Sequence, residues 1–290
     1  ILMVLTEYVL AIPSYHRENT LKNKTLRVLQ EYKIDPQKII IFVADKGQEK
    51  VYRETLDKST YNKIVVGRPG IKNIRNFMPR YFPEGQHILY MDDDINHIYD
   101  TINNGDIRNK KDNKQIPLKN LKDFINTAFT LSEKNGIHNW GVYPANNPFF
   151  MKPRRPDNSH IGTKLSFVIG FMSGVINHRK TDVRTTDEKE DYERSIRYYL
   201  KDNGIMRFNN ITCATRCYKE PGGMENERSV KRSAVSSNHL IKLYPNLCSL
   251  NTKATKSGYT EIRLRDRRPD VKPPKVLSSN RPRTKKKARK

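Results

Sequence analysis

The chain has 290 residues, and its 55 Lys and Arg against 31 Asp and Glu give a formal charge of +24 and a pI near 9.9. A hydrophobic content of 36%, with 15 Tyr and 10 Phe, is enough for a real core and excludes wholesale disorder, and no apolar run approaches the roughly 20 residues of a membrane-spanning helix. So large an excess of one sign exceeds what solubility needs and points to a polyanionic partner, nucleic acid before an anionic membrane surface.

The apolar start of the chain lacks a basic leading region and fits a first strand better than a signal peptide. With three cysteines and no secretion signal, a reducing compartment is expected, intracellular (cytoplasm or nucleus) and not secreted. Glu7 to Ile12 reads as the first strand, broken by Pro13-Ser14-Tyr15. Thr20 to Tyr32 has helical spacing, and Asp35-Pro36 turns the chain. Ile39 to Ala44 is apolar throughout, as a strand buried on both faces should be, and ends in Asp45-Lys46-Gly47. A charged helix (Gln48 to Leu56), a short strand (Lys63 to Val66) and a second helix (Ile71 to Tyr81) follow. This β-α rhythm predicts an α/β fold with a doubly wound, mostly parallel sheet flanked by helices.

The next strand carries the stretch on which the functional reading turns, HILYMDDDI from His87 to Ile95. Three acids directly after a strand sit at the carboxyl edge of the sheet, where open α/β folds bind ligands. Adjacent carboxylates repel by roughly 4 kcal/mol at about 4 Å and an effective dielectric near 20. A hard cation such as Mg²⁺ or Mn²⁺, shared with substrate phosphates, is the usual remedy. In extended backbone Asp92 and Asp94 point one way and Asp93 the other, so Asp92 and Asp94 are the expected metal pair; the bland reading is a solvated acidic turn.

Beyond the acids, Asn103 to Gln115 reads as a flexible polar loop and Leu118 to Asn135 as an amphipathic helix. Trp140 to Tyr143 and Leu165 to Phe171 read as strands separated by a basic, turn-rich segment. Glu190 to Asn203 is a helix stopped by Gly204. Met206 to Tyr218 reads as strand, Lys219 to Val235 as a charged loop, and Ser236 to Tyr244 as a short helix. From Asp266 onward apolar residues almost vanish, and residues 266–290 are expected to form a basic, disordered tail suited to nucleic-acid contact. Cys213, Cys217 and Cys248 can be drawn with His239 as a zinc set; His97 and His178 carry no assignment.

Five features occur in fixed order: IPSYHR (Ile12 to Arg17), Asp45 after the second strand, GIKNIRN with Gly70, Arg75 and Asn76, the YMDDDI triplet, and KEDYERSIRYYLKDNG (Lys189 to Gly204). In this order on this rhythm they resemble the GT-A (Rossmann-like) nucleotide-sugar glycosyltransferases of the family-2-like type, over roughly Glu7 to Tyr244. The resemblance implies one glycosyltransferase domain over residues 1–265, with a donor half to about residue 100 and an acceptor half after it. It implies nucleotide contacts at Pro13, Ser14, Arg17, Asp45, Gly70, Arg75, Asn76 and Asp93, metal ligation by Asp92 and Asp94, and a catalytic pair Glu190-Asp191, the second acid being the base. His239 is a candidate for the late metal-binding histidine that such enzymes often supply. The residue chemistry agrees: Gly70 admits close backbone approach to phosphate, Arg75 offers a planar fork to its oxygens, and a helix N-terminus at Asp191 stabilises an anion, keeping it ionised.

More narrowly, the IPSY opening, the MDDD triplet, the KEDxxxSIR helix and YKEPGGM (Tyr218 to Met224) resemble the TET-associated glycosyltransferases of phages and fungi. That resemblance implies an inverting, metal-dependent transfer (Mn²⁺ or Mg²⁺) from a UDP-sugar or similar donor to a 5-hydroxymethyl pyrimidine such as hydroxymethylcytosine in DNA, in a viral setting, with Gly222-Gly223 in a loop closing over sugar or acceptor. The alternatives are a polysaccharide, lipid or protein acceptor, a nucleic-acid-binding protein without catalysis, and a nucleotidyltransferase or nuclease.

Overall fold

The computed structural model describes residues 7–168, 171–215, 222–223, 229–252, 258–269 and 271–276. Its strands are β1 (Val9–Pro13), β2 (Ile39–Val43), β3 (Lys63–Val66), β4 (His87–Met91), β5 (His97–Asn103), β6 (Asn113–Pro117), β7 (Asn139–Tyr143), β8 (Ile161–Gly162), β9 (Met172–Ile176), β10 (Met206–Ala214), β11 (Cys248–Leu250) and β12 (Ile262–Leu264). The helices are α1 (Glu18–Leu21), α2 (Arg27–Glu31), α3 (Lys46–Thr55), α4 (Ile71–Tyr81), α5 (Leu121–Asn135), α6 (Glu190–Asp202) and α7 (Val230–Leu243).

The fold class is the expected one, a central sheet flanked by helices. Its path is β3-β2-β1-β4-β9-β7-β10-β5-β6, with β8 beside β10. β3, β2, β1 and β4 are mutually parallel, while β9 runs against both β4 and β7, and β5 against both β10 and β6. The parallel strands β2 and β4 are buried at every residue, as sheets covered on both faces require. One apolar cluster joins β1, β2, β4, β7 and α5; a second packs α4 on the other face through Ile74, Met78 and Phe82. The carboxyl ends of β1, β2, β3 and β4 therefore share one edge, and the segments leaving that edge build the site.

Several expected elements differ. Of the expected loop at 103–115, residues 104–112 do connect two strands, but its ends are strand: β5 and β6 pair from Tyr99–Pro117 to Asn103–Asn113, and their polar sequence suits an edge hairpin with one wet face. Leu165 to Phe171 holds no strand among its described residues; the strand starts later, at Met172. The stop of α6 is Asn203, in the left-handed conformation at φ 53°, rather than Gly204. α7 begins at Val230 because Ser229 caps it, its side chain accepting from the Arg232 N–H.

The expected free tail is packed as far as Val276. Tyr199 donates to Asp266 at 2.8 Å, Asn203 Nδ2 donates to the Lys272 carbonyl, Thr163 donates to the Pro274 carbonyl, and Val276 rests on the main core. Residues 277–290 lie outside the described residues, as does Cys217. Cys213 is in the main core and Cys248 in the cluster under α7, so these two cysteines do not form a metal set.

Candidate active site

A cavity of about 380 Å³ opens at the carboxyl edge of β1 and β4. One wall is made by the turn after β1 and the acids after β4, the floor by the first turn of α4, and the opposite wall by the first turn of α6. Of the residues expected to act, Pro13, Ser14, Arg17, Gly70, Arg75, Asp92, Asp93, Asp94, Glu190, Asp191 and Gly223 all line it.

The triplet is held in a turn rather than an extended strand, so the simple alternation of side chains does not apply. Thr25 fixes that turn: its hydroxyl donates to the Asp92 carbonyl at 2.7 Å and accepts from the Ile95 N–H at 3.0 Å. A π-helical turn at Lys22–Leu26, between α1 and α2, carries Thr25 into this buried position, a local irregularity of the kind often found at functional sites. The three carboxyls then diverge. Asp92 accepts from Arg75 Nη2 at 2.8 Å. Asp93, 5% exposed, accepts from Ser14 Oγ at 2.6 Å and pairs with Arg17 at 3.3 Å. Asp94 is 8% exposed, and burial together with the charges of Asp92 and Asp93 pushes its carboxyl up to about 7.

The turn after β1 is bolted to α3. Tyr52 shares a hydrogen bond with Ser14 and accepts from the Arg17 N–H, and Gln48 holds the His16 N–H. Asp45 serves this arrangement at one remove: it caps α3 by accepting from the Gln48 N–H at 2.9 Å, is exposed, and is not among the residues that line the cavity. Gly222 and Gly223 close over the same turn, the Gly222 carbonyl accepting from Arg17 and the Gly223 N–H donating to the Tyr15 carbonyl. The paired glycines are required there: both have positive φ, and a Cβ on Gly222 would lie 2.5 Å from the His16 carbonyl oxygen.

Between the walls, Arg75 is 5% exposed and bridges Asp92 at 2.8 Å and Glu190 at 3.4 Å. Its Nη1 has no hydrogen-bond acceptor among the described residues, an arrangement suited to an oxygen-rich anion arriving in the cavity. Gly70 caps α4 at φ 89°, so the positive end of that helix also faces the cavity. Asn76 does not face it. Its side chain accepts from the Arg184 N–H and donates to the Arg184 carbonyl, holding residues 182–184 against α4.

Arg184 was not distinguishable in sequence from the charged stretch around it. It is fully buried, pairs with Asp182 and with Glu190 at 3.1 Å, and donates to the Arg75 carbonyl. Burial alone would raise the Glu190 carboxyl, but Arg75 and Arg184 outweigh it and hold Glu190 ionised, down to about 2. Asp191 goes the other way: burial and the Glu190 charge push it up to about 8. The expectation that the helix N-terminus keeps Asp191 ionised is therefore corrected; a charge beside it and the loss of water outweigh the helix end. Two adjacent acids thus have opposite protonation tendencies, the pattern by which acid–base roles are separated.

His239 does not join the aspartates. Its Nε2 is 2.8 Å from the Thr185 hydroxyl, and it does not line the cavity. Among the described residues no group of three or more His, Cys, Asp or Glu is arranged to hold a metal ion. Asp92 and Asp94 nevertheless suit a hard cation that takes two carboxylates and completes its shell with water and phosphate oxygens. Burial first, and then the crowding of negative charge that such an ion relieves, raise the Asp94 carboxyl.

No protein-family model matches the chain, and no curated protein does. Among solved structures, TarS of S. aureus, residues 1–349, is similar at 12% identity and a TM-score of 0.45, over 81% of this chain and 65% of that one. The same fragment in complex with UDP gives 13% and 0.43, over 82% and 72%. A mycobacterial protein gives 10% and 0.44, over 90% and 84%. The chain spans 65% of the TarS fragment and 40% of the longer TarS chain. At such identities and TM-scores these likenesses assign no activity.

Proposed function

We propose that the chain is a metal-dependent, inverting glycosyltransferase that moves a sugar from a nucleotide sugar, a UDP-sugar in the first instance, to the hydroxymethyl group of a 5-hydroxymethyl pyrimidine in DNA. The observation that carries the transferase reading is the convergence on one cavity of the Asp92–Asp94 triplet, the incompletely satisfied Arg75 and the Glu190–Asp191 pair. The order of these motifs along the chain, on a GT-A-like rhythm, supports the donor class; the charge of +24 supports a polyanionic acceptor.

In this reading Ser14, Arg17 and Asp93 shape the nucleotide end of the cavity, while Gly70 and Arg75 face the diphosphate. Asp92 and Asp94 would hold Mg²⁺ or Mn²⁺, which when bound supplies charge neutralisation to that diphosphate. Asp191, once deprotonated, takes the proton of the acceptor hydroxyl. The hydroxyl oxygen forms its bond to the anomeric carbon, the carbon–phosphate-oxygen bond breaks, and its electron pair leaves with the nucleoside diphosphate, where Arg75 stabilises the added charge. Glu190, held ionised between two arginines, fixes Arg75 and sets the basicity of Asp191. A base within a duplex cannot reach such a cavity, so a flipped or single-stranded nucleotide is the expected acceptor form.

The test is incubation with a panel of nucleotide sugars, Mn²⁺ and hydroxymethyl-containing DNA, with assay of nucleoside diphosphate release and mass analysis of the nucleosides. The expected result is a sugar-bearing nucleoside from the wild type and at least about a hundredfold less from Asp94→Ala or Asp191→Asn. Absence of turnover with every donor overturns the transferase reading. Product of retained anomeric configuration by NMR overturns inversion.

A further inference from the structure

The donor-facing residues line only part of the cavity, and the remaining lining, which includes Glu188, Lys189 and Glu261, also carries aromatic side chains. Phe167 and Tyr192 lie face to face, ring centroids 4.0 Å apart and 16° from parallel, and both line the cavity. Tyr192 directly follows Asp191 in the first turn of α6. The pair is braced from outside. The Tyr192 hydroxyl donates to Glu261 at 3.4 Å, Lys189 pairs with the same carboxylate at 2.8 Å, and the Lys189 ammonium lies 5.7 Å from the Tyr192 ring centroid. Behind Phe167, its carbonyl accepts from Arg207 at 3.4 Å. Neither ring belongs to a large buried cluster as a member of its core; Tyr192 only packs at the edge of one.

We infer that the stacked Phe167–Tyr192 pair is the acceptor platform, and that it takes a planar nucleobase by extending the stack with a third ring. The inference rests on the transferase reading, which it deepens by naming where the acceptor sits. Two parallel aromatic planes present a flat π-surface, and any base can stack on it; such stacking contributes about 1–3 kcal/mol per base. The chain's large positive charge favours a polyanionic ligand over a neutral one. A ring placed there would lie against the residue adjoining Asp191, bringing an exocyclic hydroxymethyl group toward the base that must deprotonate it.

The direct experiment uses a single-stranded oligonucleotide with 2-aminopurine at the acceptor position, whose fluorescence is quenched on stacking. Wild type and Tyr192→Phe, which keep the ring, should quench it; Tyr192→Leu and Phe167→Leu should not. In the transfer assay the acceptor KM should rise about tenfold in the two Leu variants and less than twofold in Tyr192→Phe. Thermal unfolding of each variant separates loss of the platform from loss of the fold, and since either ring's removal should abolish quenching, the second Leu variant keeps the test decisive if the first does not fold. Titration of UDP with Mn²⁺ into wild type is the independent check: failure of UDP to bind overturns the transferase reading itself. Binding of UDP together with fluorescence or acceptor KM indifferent to the rings overturns the platform. Ring-dependent use of a carbohydrate acceptor without quenching of the oligonucleotide overturns the nucleobase assignment.

Discussion

At the scale of single residues, adjacent acids are separated by what surrounds them. Glu190 sits between Arg75 and Arg184 and is held ionised; Asp191 is half-buried beside that charge, and the loss of water together with the Glu190 charge pushes its carboxyl up to about 8. If Asp191 is the base of the proposed transfer it must be deprotonated to act, so kcat should rise with pH until it levels near 8, and replacing Asp191 by Asn should lower it by about 10²–10⁴. The same shift has a consequence for stability. An acid whose folded-state value exceeds its unfolded value of 3.8 keeps its proton in the native state while the unfolded chain ionises, so stability falls as pH rises from about 4 to about 8. The depressed Glu190 works in the opposite sense, but only below its ordinary value of 4.5. The melting-temperature advantage of Asp191→Asn over wild type should therefore grow between pH 5 and pH 8. The advantage of Asp94→Asn should grow only to about pH 7, where that carboxyl titrates. Thermal melts across this range decide it; a constant gap would show that Asp191 is not raised.

At the scale of elements, the site depends on connectors that local sequence does not announce. The β1, β3, α4 and β4 segments were legible because apolar runs, turn residues and helical spacing are local signals. Ile71–Tyr81 and Lys63–Val66 coincide with expectation. Asp92, Arg75 and Asp191, which line the cavity, stand out in sequence because acids after a strand and charges near the start of a helix carry their context with them. Arg184 was not, because its meaning comes from Asn76 and Glu190, 108 and 6 residues away, and an arginine in the run VRTTDEKE looks like any solvated cation. Asp45 is ambiguous for the reverse reason: an acid after strand two is equally the signature of a helix cap, and the structure shows it capping α3 outside the cavity lining. Removing one partner from a buried ion-pair network typically costs 3–5 kcal/mol. Arg184→Met should lose about that much in denaturant unfolding, whereas Arg108→Met, whose pair with Asp106 is exposed to solvent, should leave the unfolding midpoint nearly unchanged. The glycine pair gives a second element-scale expectation. In Gly222→Ala the new Cβ meets the His16 carbonyl in a backbone conformation that alanine resists. The Arg17 turn should loosen, seen as a several-fold rise in donor KM with a smaller change in kcat; an unchanged KM would detach this loop from the donor end of the cavity.

At the scale of the whole molecule, the excess of positive charge is spread over the folded body and the terminal run from Arg281 to Lys290, which alone carries seven Lys and Arg. A polyanion bound by such a surface releases condensed counterions, so log affinity falls linearly with log salt, by about 0.7 for each phosphate neutralised on a single strand. Ending the chain after Val276 keeps the segment that packs on α6 and the main core while removing all seven charges. It should leave the melting temperature unchanged and make the salt slope for single-stranded DNA shallower by about 0.7 for each phosphate that the terminal run neutralises. Ending it after Asp266 instead would also remove the packing of Lys272, Pro274 and Val276, so a change in slope there would be confounded with a change in stability. Measured by fluorescence anisotropy between 50 and 200 mM salt (a range over which multi-phosphate binders lose orders of magnitude in affinity), a steep slope in the full chain and a reduced one after truncation at Val276 would place the terminal run on the acceptor. A flat response in the full chain would remove nucleic acid from consideration and leave the cavity's donor chemistry to be matched with a neutral acceptor.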